Sequence, residues 1–218
     1  YSITLPKTWK EYTNEILKKD FFAQNLRKKK QLRKLGNLRF KIVYDQIEKN
    51  KYMDELIVQK NARLLSQGIE DIFNSEDLNF YKGFENKNFK TIKTHVSSLI
   101  LNGELIAIHW GVIYKKRFYY LLLSMKEGNL RRYSPGRLLI SFLIRWSITK
   151  KLQIFDFTLG DEEYKKNWSN NQKSLFSLIQ LNSFNGFFLY LLIKIKLILK
   201  SIDKKNYLSK FIFAIKKT

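Results

Sequence analysis

Helical and strand-like spacings of apolar residues alternate along the chain, and turn residues mark most of the switches. Thr8-Trp9-Lys10-Glu11, just after Pro6, has the spacing of a capping box. It predicts one helix running to about Leu35 and stopping at Gly36-Asn37, with Leu32 and Leu35 facing inward. Residues 38–44 alternate as a strand does. Helical spacing returns over 51–67, where Leu56, Ala62, Leu64 and Leu65 are the expected buried positions. Residues 69–89 form a second, less regular helical stretch.

The middle of the chain is the most regular part. Residues 95–101, 105–114 and 118–124 each alternate with a period of two, and Asn102-Gly103 suits a tight two-residue hairpin because both residues tolerate positive φ. A charged turn at Lys115-Lys116-Arg117 joins the second and third runs, so the three form an antiparallel meander. Ser134-Pro135-Gly136 then reads as a helix start, with Ser as N-cap and Pro in the first helical position. Leu138, Leu139, Phe142, Leu143 and Trp146 make one apolar face. Ile154-Phe155-Asp156-Phe157 is a short buried strand, Asp161 caps a short helix carrying Tyr164, Lys165 and Trp168, and 175–181 is a further strand. Together these give an α/β chain with a mixed, mainly antiparallel sheet flanked by helices, a basic N-terminal helix and an amphipathic C-terminal helix. Residues 1–185 form the expected folded domain and 186–218 the terminal helical segment.

Composition narrows the chemistry. The 218 residues hold no Cys and two His, which excludes disulfides, thiolate zinc and a Cys nucleophile and argues against a poly-His metal centre. A net charge of +22 points to anionic partners, although a Lys-rich composition also follows from an AT-rich genome. Six of the eight residues at 27–34 are basic. The chain starts at Tyr1 with no signal peptide in view, so a processed or truncated start with a domain upstream is expected. Over 187–199, eleven of thirteen residues are apolar, interrupted by Lys194 and Lys196. That is short of the ~20 a spanning helix needs, which leaves a core helix, a docking helix or an interfacial one.

Two segments hold candidate chemistry. Arg131, Arg132, Ser134, Gly136 and Arg137 surround an expected helix N-terminus, where free N–H groups and the positive dipole end suit a pyrophosphate; a plain capped helix with solvated arginines has the same sequence. Asp156, between two Phe, is either paired, with Lys165 or Arg145, or held neutral for proton transfer. Tyr164 and Lys165 follow Gly160 and can face the same cleft, Tyr as a proton donor to a leaving thiolate and Lys as an anion holder. His109 shares a strand face with Ala107 and Gly111, as a structural residue or as a base.

Ser134-Pro135-Gly136-Arg137-Leu138-Leu139, then Phe155-Asp156-Phe157, Gly160 and Tyr164-Lys165 with Trp168, resemble the CelD-type acetyltransferases associated with cellulose and exopolysaccharide biosynthesis. Those belong to the GNAT superfamily and are similar to Fem-type aminoacyltransferases. The resemblance covers roughly residues 10–185. It implies a GNAT fold, acyl-CoA (acetyl-CoA foremost) as donor, and an amine acceptor on a sugar or sugar-linked substrate of surface-polysaccharide metabolism. It maps the CoA pyrophosphate to Arg131–Arg137 and the acceptor side to Tyr164-Lys165. Two departures are Lys151, where the family often has Gly, and a single Gly in place of the usual Gly-x-Gly/Ala of the CoA loop. Direct transfer without a metal is expected, in the cytoplasm with a peripheral place at the inner membrane face. The rivals are a Fem-like transferase fed by aminoacyl-tRNA, a catalytically silent membrane-surface scaffold, and a nucleic-acid-binding protein, for which no recognised module is present.

Overall fold

The computed structural model describes residues 1–69, 75–87, 89–176, 180 and 183–202. Residues 1–173 form one compact unit and 174–218 a second. The first holds a mixed α/β fold whose six-stranded sheet runs β1-β6-β5-β4-β3-β2. The strands are β1 (Ser2–Thr4), β2 (Leu38–Val43), β3 (Lys93–Leu101), β4 (Glu104–Tyr114), β5 (Arg117–Met125) and β6 (Ile154–Asp156). Every neighbouring pair is antiparallel except β5 and β6. That parallel pair needs a crossover, which helix α5 (Pro135–Thr149) supplies.

The meander expected over 95–124 is present, with each strand a residue or two longer. Its first turn has φ of 52° at Asn102 and 88° at Gly103, the positive pair a tight hairpin requires. Its second turn achieves the same at Lys115 and Lys116 (φ 45° and 60°) without glycine. The Lys116 carbonyl accepts hydrogen bonds from the backbone of Gln153 (2.8 Å) and Ile154, which ties this strained turn to the start of β6.

The N-terminal region departs from expectation. Thr8 caps α1 (Trp9–Glu11) as the capping box requires, its hydroxyl accepting from the Glu11 N–H at 3.1 Å. The helix then widens into a π-type turn over Tyr12–Ile16 and breaks, because Leu17 and Lys18 are extended (ψ 135° and 133°). Burial of Tyr12 and Leu17 in the core fixes that break, which carries no proline or glycine. The basic run therefore lies on a separate helix, α2 (Lys19–Lys34), with Leu32 buried and Leu35 exposed. Helix α3 (Gln46–Ser66) starts earlier than expected, capped by the Asp45 carboxylate on the Glu48 N–H, and of its four expected buried residues only Leu56 is fully enclosed. Helix α4 is Ser75–Asn86. Part of the strand expected over 175–181 falls outside the described residues; Leu175 and Phe176, which are described, are in no strand.

Two cores lie on opposite faces of the sheet, as the period of two demands. One packs Leu138, Leu139 and Leu143 of α5 and Leu32 of α2 on Ala107, Phe118, Tyr120 and Phe155. The other packs Tyr52, Met53, Leu56 and Ile57 of α3 on Val96, Ile108, Trp110 and Leu122. In the second unit, α7 (Phe184–Ile202) is a helix with Phe187, Phe188, Leu192 and Leu197 exposed. Among the described residues, no helix is long and apolar enough to cross a membrane.

Candidate active site

β5 and β6 stay paired for three residues, Arg117 to Tyr119 against Ile154 to Asp156, and then part. Both strands contribute to the divergence. On β5, Tyr120 sits opposite Gly111 and Leu122 opposite Trp110, so Leu121 is an extra residue, a bulge that bends the strand. On the other side, Thr158 takes a left-handed φ of 59° and Gly160 a φ of 105°, which swing the chain away into α6 (Glu163–Lys166). The result is a cleft of ≈ 620 Å³ along the free edge of β5, in the size range of small-molecule sites. Its walls come from α3, from the N-terminus of α5 and from the α6 segment, with Tyr120 and Tyr164 among the lining residues.

The helix N-terminus at Ser134 is built differently from a simple cap. Ser134 is left-handed (φ 53°, ψ 59°), and its side chain caps nothing in the helix. Lys28 of α2 instead donates to both the Ser134 hydroxyl (2.8 Å) and the Arg132 carbonyl (2.9 Å), cross-linking the loop to the basic helix. The three arginines do not converge on this spot. Arg131 pairs with Glu127 at 2.9 Å, Arg132 lies over the Tyr133 ring, and Arg137 stacks on Phe21 at 3.8 Å while donating to the Phe21 carbonyl. Gly136 packs directly on β5: a Cβ there would stand 3.0 Å from a Leu123 methyl. Gly136 and Arg137 both line the cleft.

Asp156 is paired, with Arg117 and neither of the partners expected for it. Arg117 Nη1 donates to Oδ2 at 2.8 Å, and the Thr158 N–H donates to Oδ1 at 2.8 Å. The carboxylate thus pins the point where β6 ends and the chain turns away. Lys165 is also internal. Its side chain is 3% exposed, donates to the Leu159 carbonyl and pairs with Glu162 at 2.7 Å. Burial works to raise the Glu162 pKa, but the Lys165 hydrogen bond, a backbone hydrogen bond and the Lys165 charge together leave the carboxyl below its ordinary value. Asp161 does not cap α6; its carboxylate accepts from the Tyr1 hydroxyl at 2.8 Å.

Tyr164 faces the cleft with its ring partly open to solvent. Burial, and then the Glu162 charge, push its hydroxyl up to about 12, so it keeps its proton at neutral pH. Tyr120 is fully enclosed and shifts the same way, first through burial and then through Tyr164. Its hydroxyl and the Nε of Arg137 are buried without a hydrogen-bond partner among the described residues. Both residues belong to the cleft lining. His109 is elsewhere, in the core at 0% exposure, stacked 4.6 Å from Tyr120 and 5.5 Å from Phe118. Burial, then the neighbouring His95, hold its pKa well below the ordinary value, and it is not among the residues that line the cleft. Lys60 and Arg63 of α3, which no sequence motif singled out, line the cleft.

A family model for the acetyltransferase (GNAT) domain matches residues 20–166. Among solved structures, the chain is similar to an aminoglycoside acetyltransferase from an uncultured soil metagenomic sample, in complex with sisomicin. That likeness has 12% identity over 67% of this chain and 97% of the other, with a TM-score of 0.45. It is also similar to the C-terminal domain (DUF2156) of a putative lysylphosphatidylglycerol synthetase from Agrobacterium fabrum, at 15% identity over 66% of this chain and 42% of the other, TM-score 0.42. No curated protein matches the sequence. The matched span takes in the sheet from β2 to β6, the α5 crossover and most of the cleft lining, and the chain belongs to the GNAT acetyltransferase domain family, as an acyltransferase.

Proposed function

We propose that the chain moves an acyl group from acyl-CoA to an amine on a sugar or sugar-linked acceptor of surface-polysaccharide metabolism, as CelD-type transferases do. The observation that carries the chemistry is the cleft where β5 and β6 part, with a protonated Tyr164 on one wall and the α5 N-terminus on another. Residues around that N-terminus, Arg132 and Arg137 with the backbone from Ser134 to Arg137, would hold the CoA phosphates. Lys28 would keep that loop in shape. The thioester would lie along the free edge of β5, where backbone dipoles beside the Leu121 bulge polarise its carbonyl. The amine, as free base, attacks that carbon; the C–N bond forms, the C–S bond breaks, and the amine's proton passes to water. Tyr164 gives its proton to the departing thiolate and recovers one from solvent. Asp156 and Lys165 act as positioning residues that set the wall on which Tyr164 stands.

The test is turnover of acetyl-CoA, followed as free thiol release, on a panel of amino sugars, with Tyr164→Phe beside the parent. Loss of the hydroxyl should lower kcat about 10²-fold with the KM for acetyl-CoA unchanged. A variant with full kcat places the proton donor elsewhere. Aminoacyl-tRNA turning over in place of acetyl-CoA would favour the Fem-like alternative.

We also infer that the protein works at the inner membrane surface. The exposed apolar side chains of α7 and the net charge of +22 support that reading. Each Lys or Arg close to an anionic leaflet contributes about 1 kcal/mol, and inserted apolar side chains add to it. The protein should sediment with anionic vesicles and weakly with neutral ones. Remaining in the supernatant with anionic vesicles at low salt would refute membrane attachment.

A further inference from the structure

The cleft has two cationic sides, and only one is explained by the donor. Arg137 stands on the α5 side, with the core that contains Phe118 and Tyr120. Lys60 and Arg63 stand on the α3 side, with the core that contains Ile108 and Leu122. Those cores occupy opposite faces of the sheet, so the cleft passes the free edge of β5 from one face to the other. Spaced three apart on α3, Lys60 and Arg63 sit one above the other on the same helix face. Among the described lining residues the one carboxylate is Glu162, and it is already paired with Lys165 at 2.7 Å.

From this arrangement we infer that the acceptor amine is carried on an anionic molecule, bearing a phosphate or a carboxylate, which Arg63 and Lys60 hold on the α3 side of the cleft. The inference rests on the amine-acceptor reading above and narrows it to a substrate class. Two cations brought together on one helix face repel each other, and burial with the Arg63 charge already lowers the Lys60 pKa. An anion seated against Arg63 meets a guanidinium that offers two parallel donors to a carboxylate or phosphate, with the Lys60 charge on the same helix face. A polycationic amine would meet Lys60, Arg63 and Arg137 without an unpaired carboxylate in the described wall to receive it. The attacking nitrogen must reach the thioester on the β5 edge, near Tyr164, while the anion rests against α3. The acceptor is therefore expected to carry its amine and its anion on one small scaffold, as an amino sugar phosphate or an amino sugar acid does.

The experiment compares glucosamine 6-phosphate, muramic acid, glucosamine and kanamycin as acceptors with acetyl-CoA. It uses the full chain and its Arg63→Gln and Lys60→Gln variants. An anionic amine should exceed glucosamine by at least about tenfold in kcat/KM, and whichever of phosphate and carboxylate leads names the anion. Arg63→Gln should cut that acceptor's kcat/KM ~10–100-fold, the size of one lost charge-assisted contact, chiefly through KM. The acetyl-CoA KM should not move. Calorimetry on the acetyl-CoA-saturated protein reads acceptor binding even where turnover is slow. Preference for glucosamine or kanamycin, or failure of both anionic amines to bind, overturns the inference. So does a matching loss of acetyl-CoA affinity in Arg63→Gln, which would assign these cations to the donor. Absence of acetyl-CoA binding in the parent chain would instead overturn the donor reading beneath it.

Discussion

Replacing Lys165 with Met separates two roles for this residue, a cation that grips substrate and an internal strut. Met keeps the length and apolar stem but removes the ammonium. In the structure the side chain is 3% exposed, and its Nζ bonds the Leu159 carbonyl as well as Glu162. Glu162 is 56% exposed, so that ion pair contributes little, within the ~0–1 kcal/mol of a surface pair. The bond to the buried-side carbonyl matters more, about 1.5–3 kcal/mol for a charged donor, partly offset because Met no longer requires a charge to be desolvated. The net loss should be ~1–3 kcal/mol. For a chain of this length that lowers Tm by ~2–12 °C at about 2–4 °C per kcal/mol. Release of the Leu159 carbonyl also frees the segment that carries Tyr164, so kcat should fall about tenfold with the acetyl-CoA KM unchanged. Urea denaturation, thermal melts and steady-state kinetics on one preparation give all three values. An unchanged Tm together with a large rise in acceptor KM would refute the strut and return Lys165 to the substrate.

The buried histidines predict acid lability. His95 is held to about 3 by burial and then by the Lys49 charge, and His109 is depressed as well, whereas both take a proton near 6.5 once unfolded. The unfolded chain then binds more protons below that pH, so stability is full above ~6.5 and falls with pH at ~1.4 kcal/mol per unit for His95, ~2 kcal/mol at pH 5, with His109 adding in the same direction. Urea midpoints at pH 7 and 5 measure this, and His109→Gln should make the slope shallower; an unaltered slope would place the effect on other groups. Gly111→Ala should cost ~3 kcal/mol or more, because a Cβ there would lie 2.5 Å from the Tyr119 carbonyl oxygen and 2.7 Å from the His109 ring. A urea midpoint within error of the parent would show that the β4–β5 bulge can open to admit it.

Much of the fold is written in local pattern. Period-two alternation and the Asn102-Gly103 turn specify the meander, and the Leu138-to-Trp146 face specifies α5, because each depends only on which side of a short element is apolar. The motif residues from Ser134 to Trp168 also follow from sequence as neighbours of one crossover, and the strand order places the cleft between their ends. Strand β1 is less accessible: three residues long, it has no periodicity to display, and it pairs with β6 about 150 residues away. The break at Leu17-Lys18 is likewise invisible locally, since neither residue disfavours a helix and the burial of Leu17 imposes it.

The chemistry of the cleft depended far more on partners than on residue types. Sequence identified Arg131 and Arg137 in one candidate segment and Asp156 and Lys165 in another, yet each is engaged by a group that spacing could not name: Glu127, the Phe21 carbonyl, Arg117 and the Leu159 carbonyl. Lys60 and Arg63 gave no motif at all, because they reach the cleft only through the packing of α3 across β4 and β5. Local sequence sets the propensity and the apolar face of an element, a short-range matter of backbone sterics and side-chain period. Which charges meet depends on how the two cores stack helices on opposite faces of the sheet. Residues sixty or a hundred positions apart are joined there by burial, and that was decided by the tertiary structure alone.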